Sequence, residues 1–356
     1  METLKDTMLV GLNGVLELIW PLIMLVTLVT TYPVLALWRV LRRLFTFPLS
    51  MQDKVVLITG ASSGIGEHIA YEYSRLGALL ALVARRGEQL EAVAQKCRGF
   101  GCKDVLTIQS DMGDEEGCKK AVDETVQHFQ RLDTLVLNAG LIQIFPFEEL
   151  EDTQKVRSIM DVNFWGYVNT TKFALPHLRR SGGQLVVNDS VASYLPQLKN
   201  TIYNASKAAV SAFFETLRLE LGSDVPITLF LPGVVKSDMT DGKAVQPSGE
   251  FATGDTAVRR RGEAGFGLFP VFPTPALARR AVAAARYRLQ RVVIPSWYSL
   301  MFYIQAFEPE LLQLQLWSQF SGKNSPVKKT TEMLGGGLKA PKDFNFKEGR
   351  GYKKEE

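Results

Sequence analysis

The sequence predicts an α/β fold with one doubly wound, mostly parallel sheet, in a single domain behind an N-terminal membrane anchor. Three observations predict it. Short apolar, β-branched runs alternate with helical patterns along most of the 356 residues. The first such run ends directly in a glycine-rich turn. A helical pattern follows that turn at once, so backbone N–H groups and the positive end of a helix dipole meet at one point.

Taken in order, Val55–Thr59 is continuously apolar and β-branched, as a strand buried on both faces should be. Gly60, Gly64 and Gly66 follow in the spacing G-x-x-x-G-x-G, with Ser62, Ser63 and Ile65 between them, and the helical pattern runs through Leu76. Glycines here suit a tight turn, close backbone approach to a pyrophosphate and close helix–strand packing, which is the logic of a Rossmann-type dinucleotide site. Further strand candidates are Leu79–Ala84, Val105–Gln109, Thr134–Leu137, Gln184–Asn188, Ile227–Leu231 and Arg291–Ile294. Val156–Phe173 and Ala205–Leu221 read as long helices. Asp238–Gly267 is rich in glycine, carries Arg259-Arg260-Arg261 and has no clear period.

Tyr203 and Lys207 stand four apart, and Ser190 lies thirteen residues before Tyr203. A phenol titrates near about pH 10 in water, so proton exchange at neutral pH needs help. Residues at i and i+4 share a helix face, which lets the Lys207 ammonium lie beneath the Tyr203 ring and stabilise its phenolate. Ser190 then hydrogen-bonds a substrate oxygen while Tyr203 exchanges a proton with it.

Over residues 51–295 the chain resembles the short-chain dehydrogenase/reductases. Thr59-Gly60-Ala61-Ser62-Ser63-Gly64-Ile65-Gly66 is similar to the family's cofactor loop, and Asn138-Ala139-Gly140 to the element that lines its cofactor cleft. The resemblance implies that Asn163 is a structural and proton-relay asparagine, and that Ser190, Tyr203 and Lys207 are catalytic. It puts Asp111-Met112 at the adenine and Pro232-Gly233 beside the nicotinamide. Ser237 stands where a threonine often contacts the nicotinamide amide. It also puts Asp238–Gly267 at a variable substrate lid. Two departures stand out: Asp189 replaces a frequent serine before Ser190, and Ser193 replaces a frequent glycine.

The second strand ends in Arg85-Arg86 rather than in a carboxylate. An acidic residue there would accept from a ribose 2′-hydroxyl and select NAD. Two cations suit a 2′-phosphate, with Ser62 adding a hydroxyl donor, so NADP is favoured over NAD. Cys97, Cys102 and Cys118 form no ligand-spaced set with the three histidines, so no metal site is expected. An odd cysteine count without paired spacing suits a reducing compartment. A net charge of +4 is too mild to imply nucleic acid.

Residues 1–50 form the expected anchor. Leu18–Trp38 is an uncharged run of 21 residues, which at about 1.5 Å per residue reaches about 30 Å. Arg39, Arg42 and Arg43 follow it, which places the catalytic domain on the cytosolic side. Pro21 and Pro33 interrupt the segment, a pattern that resembles the proline knob of the plant steroleosins, lipid-droplet proteins with a hydroxysteroid-dehydrogenase-like domain. The two readings are a hairpin that dips into a droplet and returns, and a kinked single-pass helix in the endoplasmic reticulum membrane. Residues 296–320 are apolar and aromatic, suited to capping a substrate cleft, touching membrane, burying a homodimer contact or packing on the domain. Residues 321–356 turn to Lys, Gly and Pro and read as a disordered tail.

The expectation is an NADP-dependent oxidoreductase acting on a lipophilic alcohol or ketone, most of all a sterol. The alternatives are a droplet coat protein with a vestigial dehydrogenase domain, and a reductase of retinoids or sphingoid ketones.

Overall fold

Seven of the apolar runs pair into one sheet. They are β1 (Val55–Thr59), β2 (Leu79–Ala84), β3 (Val105–Gln109), β4 (Thr134–Leu137), β5 (Gln184–Asn188), β6 (Ile227–Pro232) and β9 (Arg291–Ile294). In the computed structural model their order is β3-β2-β1-β4-β5-β6-β9, and every ladder is parallel. The central strands are buried on both faces, which is why they read as unbroken apolar runs and not as alternating ones. The described residues are 47–236, 244–252 and 271–313, with scattered positions between 13 and 41.

Helices cover both faces. On one side α1 (Gly64–Arg75) packs against α2 (Gly87–Gly99) and against α6 (Thr274–Arg286). On the other, α3 (Glu115–Phe129) packs on α4 (Gly166–Ser181), and α5 (Thr201–Leu221) lies beyond. The polypeptide leaves α4 through Gly182 at φ +62°, a left-handed cap that glycine adopts without penalty. Two short antiparallel strands, β7 (Ala244–Val245) and β8 (Phe251–Ala252), stand apart from the main sheet.

All seven main strands lie where the apolar runs place them. The expected helix Val156–Phe173 differs. It begins as a tight turn at Thr153–Val156, passes through one α-turn at Arg157–Met160 and widens to a π-turn at Asp161–Trp165. Only then does it continue as α4, through Pro176 to Ser181. The physical cause is Asn163 in the π-turn. Its side chain is wholly buried and bonded to the backbone at Leu141, so the helix bulges to admit that bond. Helix α5 starts at Thr201, four residues before the expected Ala205, which puts Tyr203 in its first turn.

Near the end of the described chain, α7 (Tyr298–Phe307) buries Tyr298 and packs Met301, Phe302 and Ile304 on the core. Trp297, Leu300, Tyr303 and Phe307 stay exposed. Residues 1–49 form a separate compact unit from residues 50–356. Its described positions between 13 and 41 are helical, and Val15, Ile19, Leu22, Ile23, Val26, Val29, Val34, Leu37 and Trp38 are exposed. Among the described residues no helix is long and apolar enough to cross a membrane. Much of the expected anchor, Pro21 included, lies outside the described residues, as do Ser237, most of the lid segment and the tail.

Candidate active site

The strand order reverses between β1 and β4, and the candidate residues gather at the carboxyl ends of the strands. Gly60 follows β1, Arg85 and Arg86 follow β2, and Asp111 and Met112 come after β3. Asn138 follows β4, Ser190 comes just after β5, and Pro232-Gly233 ends β6.

The glycine turn is tight for a reason visible in the packing. Gly60 sits at φ +66°, and a Cβ there would lie 2.7 Å from the Ala139 Cα. A Cβ on Gly66 would lie 2.4 Å from the Gly60 carbonyl oxygen. The loop, α1 and the Asn138-Ala139-Gly140 segment therefore close on each other at backbone contact. Thr59 and Asn138 lock them. The Asn138 and Ala139 N–H groups donate to Thr59 Oγ1 at 2.9 and 3.2 Å, and Asn138 Nδ2 donates to the Thr59 and Gly60 carbonyls at 3.0 and 3.2 Å.

The two arginines diverge. Arg86 Nη2 donates to Ser62 Oγ at 3.0 Å and to Ser63 Oγ at 2.7 Å, so its guanidinium spans the glycine turn. Arg85 is half exposed, 3.6 Å from Asp111 Oδ2, with its guanidinium 5.9 Å from the Phe251 ring centroid. The other Asp111 oxygen accepts from the Gly113 N–H at 2.9 Å. Met112 is buried.

At the other end of the cleft, Ser190 caps the turn Val191–Ser193. Its Oγ accepts from the Ala192 N–H at 3.1 Å, which leaves its own proton to donate. Tyr203 is half-buried as a residue, and the surrounding protein desolvates its hydroxyl. Burial pushes that hydroxyl up to about 12; the Ser190 hydroxyl beside it pulls it down, and the Asp189 carboxylate pushes it up.

Lys207 is not aimed at the Tyr203 ring. Its Nζ donates to the Asn188 carbonyl at 2.7 Å and stands 5.2 Å from the Tyr167 ring centroid. The Tyr167 hydroxyl donates to the same Asn188 oxygen at 3.2 Å. Burial pulls Lys207 down to about 8, and Asp189 raises it. The reason for the difference from the helix-face expectation is Asn188. It ends β5 opposite α5 and presents a carbonyl to a buried ammonium that needs an acceptor.

Asn163 Oδ1 accepts from the Leu141 N–H at 2.7 Å, while its Nδ2 donates to the Leu141 carbonyl and to Ser206 Oγ, each at 2.9 Å. Ser206 Oγ in turn donates to the Tyr203 carbonyl at 2.7 Å. One buried amide thus ties the segment after β4 to the first turn of α5. At β6, a Cβ on Gly233 would lie 2.1 Å from the Tyr298 ring, so glycine lets that aromatic close over the turn.

Tyr167 and Asn188 are site residues that the sequence did not single out, whereas Thr59 belongs to the expected cofactor loop and gains from the structure its bonds to Asn138 and Ala139. Asn188 had a signal, a polar residue ending the apolar run Leu185–Val187. Tyr167 had none, because its role depends on where α4 crosses β5.

The family described as short chain dehydrogenase matches residues 54–247. The chain belongs to that short-chain dehydrogenase/reductase family. Its relatives there include plant proteins. An 11-beta-hydroxysteroid dehydrogenase of Pinus massoniana is 43% identical over 303 residues, 85% of this chain and 84% of that protein. The 11-beta-hydroxysteroid dehydrogenase 1A of Arabidopsis thaliana is 40% identical, over 85% of this chain and 86% of the other. Among solved structures, a short-chain dehydrogenase/reductase from Burkholderia phymatum in complex with NAD superposes with a TM-score of 0.65 at 22% identity, over 74% of this chain and 96% of that one. An alcohol dehydrogenase from Thermococcus sibiricus complexed with 5-hydroxy-NADP gives 0.56 at 26% identity, over 68% and 96%. As a short-chain dehydrogenase/reductase, the chain is an oxidoreductase with a nicotinamide-dinucleotide fold.

Proposed function

We propose that the chain is an NADP-dependent oxidoreductase that interconverts hydroxyl and keto groups on a lipophilic, sterol-like substrate at a membrane or lipid-droplet surface. The observation that carries the reading is the Ser190 hydroxyl beside the desolvated Tyr203 hydroxyl, at the carboxyl end of a sheet whose first turn is a backbone cradle. That cradle fits a dinucleotide: side chains are excluded at Gly60 and Gly66, and α1 begins at its rim. Gly60, Gly64 and Gly66 would hold the pyrophosphate. Arg86, Ser62 and Ser63 would hold a 2′-phosphate, with Arg85 at its outer side. Asp111 and Met112 would meet the adenine, Asn138-Ala139-Gly140 the cleft floor, and Pro232-Gly233 with Ser237 the nicotinamide.

Bound NADP supplies the hydride chemistry. The chain's own part is positional and protonic. Ser190 donates to the substrate oxygen and fixes its direction. Tyr203 gives that oxygen a proton in reduction and takes one in oxidation. Burial holds the Tyr203 hydroxyl in its protonated form at neutral pH, the form that donates in reduction; oxidation draws on the deprotonated form. Lys207 would hold the nicotinamide ribose. The Asn163 side chain is spent on Leu141 and Ser206, so a proton relay there would need a water held by its backbone carbonyl, which can only accept.

Substrate class rests on two supports. The plant relatives carry the name 11-beta-hydroxysteroid dehydrogenase. Beside the Ser190 turn, Tyr194 packs on Phe302 with ring centroids 5.0 Å apart, an aromatic pair close to the proposed reacting groups. The exposed apolar side chains between Val15 and Trp38 support attachment to lipid.

The test is turnover by detergent-purified full-length protein with NADP(H) and NAD(H), against sterol and steroid, retinoid and sphingoid alcohols and ketones. Steroid turnover with NADP(H) is expected. Turnover confined to retinoids or sphingoid ketones overturns the substrate class, a preference for NAD(H) overturns the cofactor, and none at all favours a droplet scaffold.

A further inference from the structure

Asp189 adds a charge at the reacting end of the cleft, where the family often has serine. Its N–H donates to the Phe230 carbonyl at 3.0 Å, so the sheet fixes its place. Its side chain is 2% exposed. Oδ1 accepts from Ser193 Oγ across the turn that carries Ser190. Oδ2 has no partner in full hydrogen-bond geometry, and the Ser190 N–H lies near the carboxylate and favours its charged form. Toward α5 it faces Ser211, one turn beyond Lys207 on that helix. The Ser211 hydroxyl bonds the Tyr194 hydroxyl at 2.7 Å and lies near the carboxylate without hydrogen-bond geometry to Oδ2. The residue immediately before Asp189, Asn188, holds the Lys207 ammonium. The titratable groups that act with Asp189 are Lys207 and Tyr203 from α5 and Tyr167 from α4.

A buried ammonium hydrogen-bonded to a carbonyl still carries an uncompensated charge, and a buried carboxylate with one oxygen short of a full hydrogen bond has the same deficit of opposite sign. We infer that Asp189 is a positioning residue for the reaction: its charge keeps the buried Lys207 an ammonium, and its bond to Ser193 steadies the turn that carries Ser190. Two trends agree with this geometry. Burial raises Asp189 to about 6 while Lys207 pulls it down, and burial lowers Lys207 to about 8 while Asp189 pushes it up. In each case the other group's charge opposes the effect of burial, so removing the carboxylate brings the loss of the ammonium closer to neutrality.

The consequence rests on the cofactor-holding role proposed for Lys207, but not on the identity of the substrate. NADPH affinity of the full-length protein, read from nucleotide fluorescence, is followed from acidic to alkaline pH. Asp189→Asn keeps an acceptor for Ser193 and removes the charge; Asp189→Ser removes both; Ser193→Ala removes the bond and keeps the charge. In both Asp189 variants the pH at which affinity falls should move down by about one unit, with binding about tenfold weaker between the two midpoints. Ser193→Ala should leave it in place. An unmoved midpoint in the Asp189 variants overturns the inference even if binding is uniformly weaker. Wild-type protein that binds no NADPH overturns the cofactor reading instead.

The second measurement needs no nucleotide. A lysine whose folded pKa is depressed binds fewer protons folded than unfolded, so stability rises with pH from the folded value up to the unfolded one. That rise, read from urea midpoints, should begin about one unit lower in Asp189→Asn. Curves that begin to rise at the same pH overturn the inference.

Discussion

Arg86→Ala separates the two cofactors more cleanly than any other single change. The guanidinium already donates to Ser62 and Ser63 at the mouth of the glycine turn, so a 2′-phosphate placed there meets an oriented cation. A hydrogen bond to a charged group contributes about 1.5–3 kcal/mol. At about 1.4 kcal/mol per tenfold, NADPH affinity should fall about tenfold to about 150-fold. NADH, with a hydroxyl at that position, should bind within about twofold of wild type. Arg85→Ala should do far less, because Arg85 is half exposed and already paired with Asp111 at 3.6 Å. Exposed pairs contribute about 0–1 kcal/mol, so its effect should stay within about fivefold. Calorimetric titration of both nucleotides at low and high salt reads these numbers directly. Equal losses for NADPH and NADH in Arg86→Ala would refute the argument, and so would a larger selective loss in Arg85→Ala.

Three other changes test separate parts of the molecule. Tyr203→Phe removes only the hydroxyl, so turnover should vanish while NADPH binding stays within about threefold, and retained activity would show that the proton comes from elsewhere. Asp133 accepts from the Val55 N–H at 2.9 Å and from Arg131 at 2.7 and 2.8 Å; burial raises its pKa, but these donors and Lys54 outweigh that and hold it below the usual carboxylate range. Asp133→Asn should destabilise by about 1–3 kcal/mol at neutral pH. Because the folded pKa is depressed, that contribution is present above the unfolded value of about 4 and is lost as pH falls through the folded value. Urea melts of the two proteins should therefore converge in acid, and a gap that stays constant removes the ionic explanation. Residues 1–50 should carry a fluorescent reporter to lipid droplets or the endoplasmic reticulum, and replacing Pro21 and Pro33 with Leu should hold it in the bilayer. An N-terminal tag protected from protease in the wild-type reporter means a single-pass anchor and ends the hairpin reading.

Much of the cleft is legible in the amino-acid sequence because its parts are local. A strand buried on both faces must be continuously apolar, so Val55–Thr59 and its six companions announce themselves. A turn that brings a helix N-terminus against a strand end must lack side chains, so Gly60 and Gly66 do as well. The interruption of the helix at Asp161–Trp165 was not legible. It answers to Leu141, 22 residues away in sequence, and no periodicity within the helix encodes that bond.

The amino-acid sequence by itself determined the strand–helix order and the glycine cradle, because each depends on neighbours within a few residues, and it nominated the residues proposed to react. The tertiary structure alone decided which charge meets which. Arg86 rather than Arg85 spans the glycine turn. Lys207 turns to Asn188, and Asp189 comes to lie buried beside them. Side chains on β5, α4 and α5 meet only because parallel pairing brings those strand ends to one edge. The low dielectric there then makes every unmatched charge seek the nearest partner.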